Sequence, residues 1–198
     1  MRAPLVLVAG FGPYFRTGDN PSARIATELE REPPAGLEVR AAVLPVTFAG
    51  IGGAWDALIA RADSQPPALL LGLGMHAGTS FRLERRARAA MSSASLDNAG
   101  VAGRGVVLAG GADRANEAQW QRLADWLRES GAEEVELSDD AGGFVCEASY
   151  HHLLGRAREL ACPGLFLHVP DGARVVAERQ VPVVRGFIER WARARPVS

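Results

Sequence analysis

The sequence predicts an α/β protein: a three-layer α/β/α sandwich around a mostly parallel, twisted sheet. Three observations carry this. Short runs of strand length recur along the chain, apolar throughout at Leu5–Ala9 and Ala68–Leu73 and apolar but for His168 at Leu165–Val169, the pattern of strands covered on both faces. Amphipathic stretches of helix length separate the strands, and crossovers of that size return each strand parallel to its predecessor. No internal repeat, low-complexity tract or composition break interrupts the 198 residues, so a single domain over 1–198 is expected.

The elements follow in order. Leu5–Ala9 is the first strand, and Gly10–Pro21 a glycine-rich loop. Asn20 and Pro21 have the form of an N-cap followed by proline at the first helical position, and Ile25, Ala26 and Leu29 give that helix its apolar face. Leu37–Val46 is a second strand. Phe48–Ala62 is a helix weakened by Gly50, Gly52 and Gly53. After the third strand, Ala68–Leu73, comes the loop Gly74–Ser80. Over Phe81–Met91 the charges of Arg82, Glu84, Arg86 and Arg88 alternate with apolar residues, which predicts one strand. Ser92–Gly103 is a loop and Gly105–Leu108 a short strand. A helix runs from about Asn116 to Ser130 and ends at Gly131. Glu134–Leu137 is a strand, a helix begins near Phe144, and Leu165–Val169 is the last strand. Pro182 opens the final helix, where Val184, Phe187, Ile188 and Trp191 share a face.

Composition removes several chemistries. All 22 residues in the Lys+Arg count are arginine, which excludes a Schiff-base lysine, a P-loop lysine and the nucleotide-anchoring lysine of a protein kinase. Two cysteines, Cys146 and Cys162, cannot make a four-thiolate zinc site or a disulfide framework, and four histidines leave little for a metal centre. The formal charge of -1 gives no nucleic-acid or anionic-membrane footprint. No apolar run approaches the ~20 residues that span a bilayer. The run Leu5–Ala9 is too short for the core of a signal peptide, so a cytoplasmic protein with reduced thiols is expected.

The segment Ser138–Cys146 (SDDAGGFVC) ends a strand, turns on glycines and lands Cys146 in the first turn of a helix. Free backbone N–H groups and the positive end of the helix dipole favour a thiolate there and can cradle an oxyanion. Spacing fits a second reading too, because Cys146 also falls on the apolar stripe of its helix. His168 lies at the carboxyl end of a buried strand, where open α/β sheets place their sites, or is a core histidine bonded to a carbonyl. Glu84 faces inward as a partner that orients a histidine, or outward on an exposed strand. His76 stands in a glycine-rich loop, exposed or beside a ligand. His151 and His152 lie mid-helix, on a solvated face, and Cys162 is structural. Phe11, Tyr14 and Phe144 wall an apolar pocket or pack the core. Gly10-Phe11-Gly12 lacks the third glycine of a dinucleotide fingerprint.

Several segments, in collinear order from residue 5 to about 170, together resemble the pyroglutamyl peptidase type I family of cysteine peptidases, also called pyrrolidone-carboxylate peptidases. They are Val8–Tyr14 (VAGFGPY) with Asn20-Pro21-Ser22, Leu83-Glu84-Arg85, Leu96-Asp97-Asn98, Ala141–Cys146 (AGGFVC) and Phe166–Pro170 (FLHVP). The resemblance implies a phosphorylase/hydrolase-like sandwich and hydrolysis of the amide bond after an N-terminal pyroglutamyl residue. Cys146 is then the nucleophile, His168 the general acid and base, and Glu84 the group that orients His168. Phe11, Tyr14, Phe144 and Val145 then line the substrate pocket, with the Tyr14 hydroxyl making it slightly more polar. No metal and no cofactor are implied. The implied partners are N-terminally pyroglutamylated peptides, with neither nucleic acid nor membrane, and a homo-oligomer, tetramer or dimer.

The chain also departs from the family pattern. Ala94-Ser95-Leu96 replaces the Arg-Ile-Pro of many bacterial members, although the Leu-Asp-Asn that follows resembles animal members. Glu147 replaces the usual bacterial asparagine after the nucleophile, and an acid pointing inward there would disfavour a thiolate. Asp171-Gly172 follows His168-Val169-Pro170 where bulkier residues are usual. Two other readings compete. A nucleoside phosphorylase or hydrolase of similar fold would need phosphate ligands, for which Arg85 and Arg104 are the candidates. A non-catalytic binding homologue would need no Glu84, Cys146 and His168 together.

Overall fold

The computed structural model of the protein describes residues 2–15, 18 and 20–194, so part of the predicted loop 10–21 and both ends of the chain lie outside the described residues. The elements are β1 (Leu5–Phe11), α1 (Pro21–Arg31), β2 (Glu38–Leu44), α2 (Phe48–Ala60), β3 (Leu69–Met75), β4 (Phe81–Glu84), β5 (Arg86–Ala87), β6 (Arg114–Ala115), α3 (Trp120–Glu129), β7 (Val135–Ser138), α4 (Val145–Glu159), β8 (Gly164–Val169) and α5 (Ala177–Arg193). Among the described residues the main sheet has the order β2-β1-β3-β8-β4-β7. β2, β1, β3 and β8 run parallel to one another, β4 pairs β8 antiparallel, and β7 runs parallel to β4.

The period of two along each strand sorts side chains into two cores. Val6 and Val8 of β1, Leu71 and Leu73 of β3 and Leu165 and Leu167 of β8 face one side, where α1, α3 and α5 pack through Leu29, Leu127 and Phe187. Leu5, Leu7 and Phe11 of β1 and Phe166 of β8 face the other, covered by α2 and α4 through Trp55, Leu58, Tyr150 and Leu153. This is the expected three-layer sandwich around a mostly parallel sheet. α1 starts as its sequence requires: Asn20 Oδ1 accepts from the Ser22 backbone N–H at 3.1 Å, with Pro21 at the first helical position.

Three expectations are corrected. Phe81–Met91 is not one strand. β4 ends at Glu84, Arg85 donates to the Ser138 carbonyl and accepts from Asn116, and the chain leaves the main sheet to pair β5 with β6. Gly105–Leu108 forms only a single bridge, Ala90 to Val107, in a glycine-rich stretch that offers no partner strand of useful length. α5 does not open at Pro182: it starts five residues earlier, at Ala177, and carries the proline inside. The buried Gln180 amide secures that added turn by donating to the Pro170 carbonyl at 3.1 Å.

Candidate active site

The site gathers at the carboxyl ends of β1, β3 and β8. Glu84 and His168 meet because of strand register. β4 and β8 pair Arg82 with His168, Leu83 with Leu167 and Glu84 with Phe166. Glu84 and His168 are therefore diagonal neighbours on one face, within side-chain reach. His168 Nδ1 donates to Glu84 Oε1 at 2.8 Å, with both side chains buried. Glu84 thus faces inward, and the exposed-strand alternative falls. Its backbone carbonyl also accepts from the buried Tyr150 hydroxyl at 2.8 Å. Burial pushes the Tyr150 phenol up, with the Glu84 charge adding to the effect, so the group stays a neutral donor.

Cys146 is the second residue of α4. The turn before it uses Gly142 and Gly143 at φ +96 and +60, a left-handed conformation that suits glycine. The intrahelical bonds of α4 begin at Ala148, which donates to the Phe144 carbonyl, so the N–H groups of Val145, Cys146 and Glu147 point out of the helix end. Cys146 hydrogen-bonds the remaining nitrogen side of His168. β3 makes the room: it places Gly72 beside Phe166 and Gly74 beside His168. A Cβ on Gly74 would lie 3.0 Å from Cys146 Sγ and 3.1 Å from His168 Nε2, so only glycine admits the pair.

Burial by itself would lower the His168 pKa. The hydrogen bonds to Cys146 and Glu84, with the electrostatic effect of the same two groups, outweigh it and raise the imidazole to about 9.

Glu147 does not face Cys146 as a bare charge. It is buried, and its carboxylate accepts from the Arg88 backbone N–H at 2.8 Å, Arg88 Nε at 3.0 Å and Arg88 Nη2 at 2.7 Å. It also accepts from the Gly143 N–H at 2.6 Å. Ser92 and Ser93 donate to the Gly143 carbonyl, so this peptide is held from both sides.

A cavity of about 230 Å³ opens over Cys146, lined by Phe11, Tyr14, Met75, Phe144 and Val145 among others. The Tyr14 hydroxyl is not turned into it: it donates to the Leu96 carbonyl at 2.8 Å, so the wall is less polar than expected. Asn98 takes the Pro13 carbonyl and the Phe15 N–H, and the buried Asp97 accepts from the Phe48, Ala99 and Val101 N–H groups. Burial opposes ionisation of Asp97, but these bonds prevail and its pKa lies below the ordinary value. Leu96-Asp97-Asn98 thereby clamps the loop after β1 to the start of α2.

The other candidates named from the sequence take these places. His76 is half-buried on the cavity wall, with Nε2 at 2.6 Å from the Ser80 carbonyl and its ring 6.0 Å from that of His168. Burial lowers its pKa against that carbonyl. The sequence left this loop residue exposed or beside a ligand, and its half-buried place on the cavity wall is not that of an exposed one. His151 is buried and bonded to the Ala112 carbonyl at 3.0 Å, not solvated, because β5 and β6 cover that part of α4. His152 stays half-exposed beside Asp56. Cys162 packs against the α2/α4 core. Arg85 is spent on Asp139, and neither Arg85 nor Arg104 lines the cavity, so the phosphate-ligand reading finds no support.

The chain is similar to one family of known proteins. The family model described as pyroglutamyl peptidase matches residues 5–185. The pyrrolidone-carboxylate peptidase of Deinococcus radiodurans is 37% identical over 182 residues, covering 87% of this chain and 80% of that protein. Pyrrolidone-carboxylate peptidase 1 of Saccharolobus solfataricus is 31% identical over 83% of this chain and 78% of its own. Among solved structures, the pyrrolidone carboxyl peptidase of Fervidobacterium islandicum superposes with a TM-score of 0.83 at 24% identity, covering 96% of this chain and 99% of that one. At that identity the likeness shows the fold.

Proposed function

Because the chain belongs to the pyroglutamyl peptidase family, we propose that it is a cysteine exopeptidase that removes pyroglutamate from the N-terminus of peptides. The observation that carries this reading is the line Cys146–His168–Glu84: a helix-terminal thiol, an imidazole raised to about 9, and a buried carboxylate 2.8 Å from the imidazole.

Pyroglutamate is a lactam without an ammonium group. Its recognition needs flat apolar walls, which Phe11, Tyr14, Phe144 and Val145 supply. Cys146, as the thiolate paired with the His168 imidazolium, attacks the scissile carbonyl. The N–H groups at the start of α4 receive the oxyanion; one such donor is typically worth ~3 kcal/mol. His168 protonates the leaving amine, then takes a proton from the water that hydrolyses the acyl-enzyme. Glu84 keeps the Nδ1–H tautomer and leaves Nε2 toward the thiol. The steps use side chains and backbone alone.

A thiol nucleophile suits a reducing, cytoplasmic setting. No described helix is long and apolar enough to cross a membrane. Exposed Phe15, Leu96 and Val101 lie on loops joined through Asn98 and support assembly of identical copies, dimer or tetramer.

The test is a fluorogenic pyroglutamyl amide under reducing conditions, with wild type beside Cys146→Ser. Release by the wild type and essentially none by the variant is expected. Equal rates, or no release by well-folded wild type, would overturn the reading.

A further inference from the structure

A second cavity, about 530 Å³, adjoins the one over Cys146. The two share Asn20 and Asp171 in their walls, so the larger, a trough, abuts the smaller at these residues. A pyroglutamyl residue has no residue before it. If the smaller cavity takes the lactam, the reading on which this inference rests, the trough can hold only the leaving part of the peptide.

Its lining combines apolar surface from Pro13, Ala173 and Val176 with Arg24, Asp171 and Glu178. Arg24 and Glu178 pair with each other at 2.7 Å. Among the described residues of the trough this leaves the Asp171 carboxylate as the charge without a counter-ion. Asp171 is also rigidly placed. Its N–H donates to the Gly78 carbonyl at 3.1 Å, its carbonyl accepts from Arg174 and Val175, and its Oδ1 accepts from the Ala173 N–H at 2.9 Å. It stands three residues after His168, at the junction of the two cavities.

We infer that Asp171 is a specificity-determining residue, selecting peptides in which a cationic residue, arginine or lysine, follows the pyroglutamyl residue. The aliphatic stem of such a residue lies along the apolar wall of the trough while its charged head meets the free carboxylate oxygen.

The experiment compares kcat/KM for three peptides, pyroglutamyl-Arg-Ala, pyroglutamyl-Ala-Ala and pyroglutamyl-Glu-Ala, with wild type and Asp171→Asn. Asparagine keeps the acceptor for Ala173 and removes the charge. For a half-exposed ion pair, wild type should prefer arginine over glutamate by roughly fivefold, with alanine between. The preference should shrink in 0.5 M NaCl and vanish in Asp171→Asn. A purely structural role for Asp171 would lower all three values together and leave their ratio intact, which would overturn the inference. So would equal rates on all three peptides with wild type. Cleavage of none of them would remove the underlying reading of the site, and the inference with it.

Discussion

Arg88 and Glu147 are joined through both the backbone N–H and the guanidinium of the arginine, and the same carboxylate holds the Gly143 N–H in the turn before Cys146. The acid next to the nucleophile is thus turned away and neutralised, and it becomes a brace for the turn. Removing the arginine strands a buried charge, which typically costs about 3 kcal/mol. Arg88→Met should lose about that much in urea denaturation and lower kcat as the Gly143 turn loosens. Adding Glu147→Gln to Arg88→Met should recover part of the stability. A single variant as stable as wild type would show that the pair is not desolvated.

Gly74 predicts a loss of a different kind. The methyl of Gly74→Ala would sit 2.9 Å from His168 Cδ2 and 3.0 Å from Cys146 Sγ, and must push the two apart. Overpacking of this kind costs roughly 1–3 kcal/mol. Misplacing reacting groups by about 1 Å costs on the order of 100-fold in rate. Steady-state kinetics should show kcat falling far more than thermal stability; a fully active Gly74→Ala would contradict the packing described.

The raised pKa of His168 ties stability to pH. A histidine that binds its proton more tightly when folded stabilises the fold fully below the ordinary value of 6.5, and loses that contribution as pH climbs through about 9. Glu84→Gln removes one of the raising charges. Its deficit in stability against wild type should be largest near pH 6, about 2 kcal/mol, and small by pH 10. Its kcat should fall by roughly 10⁴-fold, the scale seen when a histidine loses its orienting acid. A deficit that grows with pH would reverse the sign and refute the assignment.

The two thiols should also separate chemically. Cys146 opens onto a cavity beside His168, while Cys162 packs behind the end of α4. Under limiting iodoacetamide, peptide mass mapping should find Cys146 alkylated first, in step with loss of activity. Prior labelling of Cys162 would count against the pairing.

Much of the architecture was legible because the strands are buried on both faces: runs such as Leu5–Ala9 and Leu165–Val169 admit few other structures. Glycines and a strand end marked Cys146 and His168 as candidates, but each kept a packing alternative until the family resemblance brought the two together. Glu84 was ambiguous for a physical reason. Alternation in Leu83-Glu84-Arg85 says that Glu84 and Leu83 face opposite sides, but which side is covered depends on β8 arriving antiparallel from far along the chain. His76 and the Arg88–Glu147 pair depend in the same way on distant packing. Pro182 misled because proline so often opens a helix, and here the Gln180 side chain secures a turn ahead of it.

The Glu84–His168 hydrogen bond spans 84 positions of sequence, with Cys146 between them. No N-terminal fragment that stops short of β8 contains acid, nucleophile and base together. During synthesis the chain therefore carries its thiol for some twenty residues before the histidine that arms it exists. Even then the histidine must wait for β8 to slot between β3 and β4. A copy that ends before β8 lacks the base and is inert by construction.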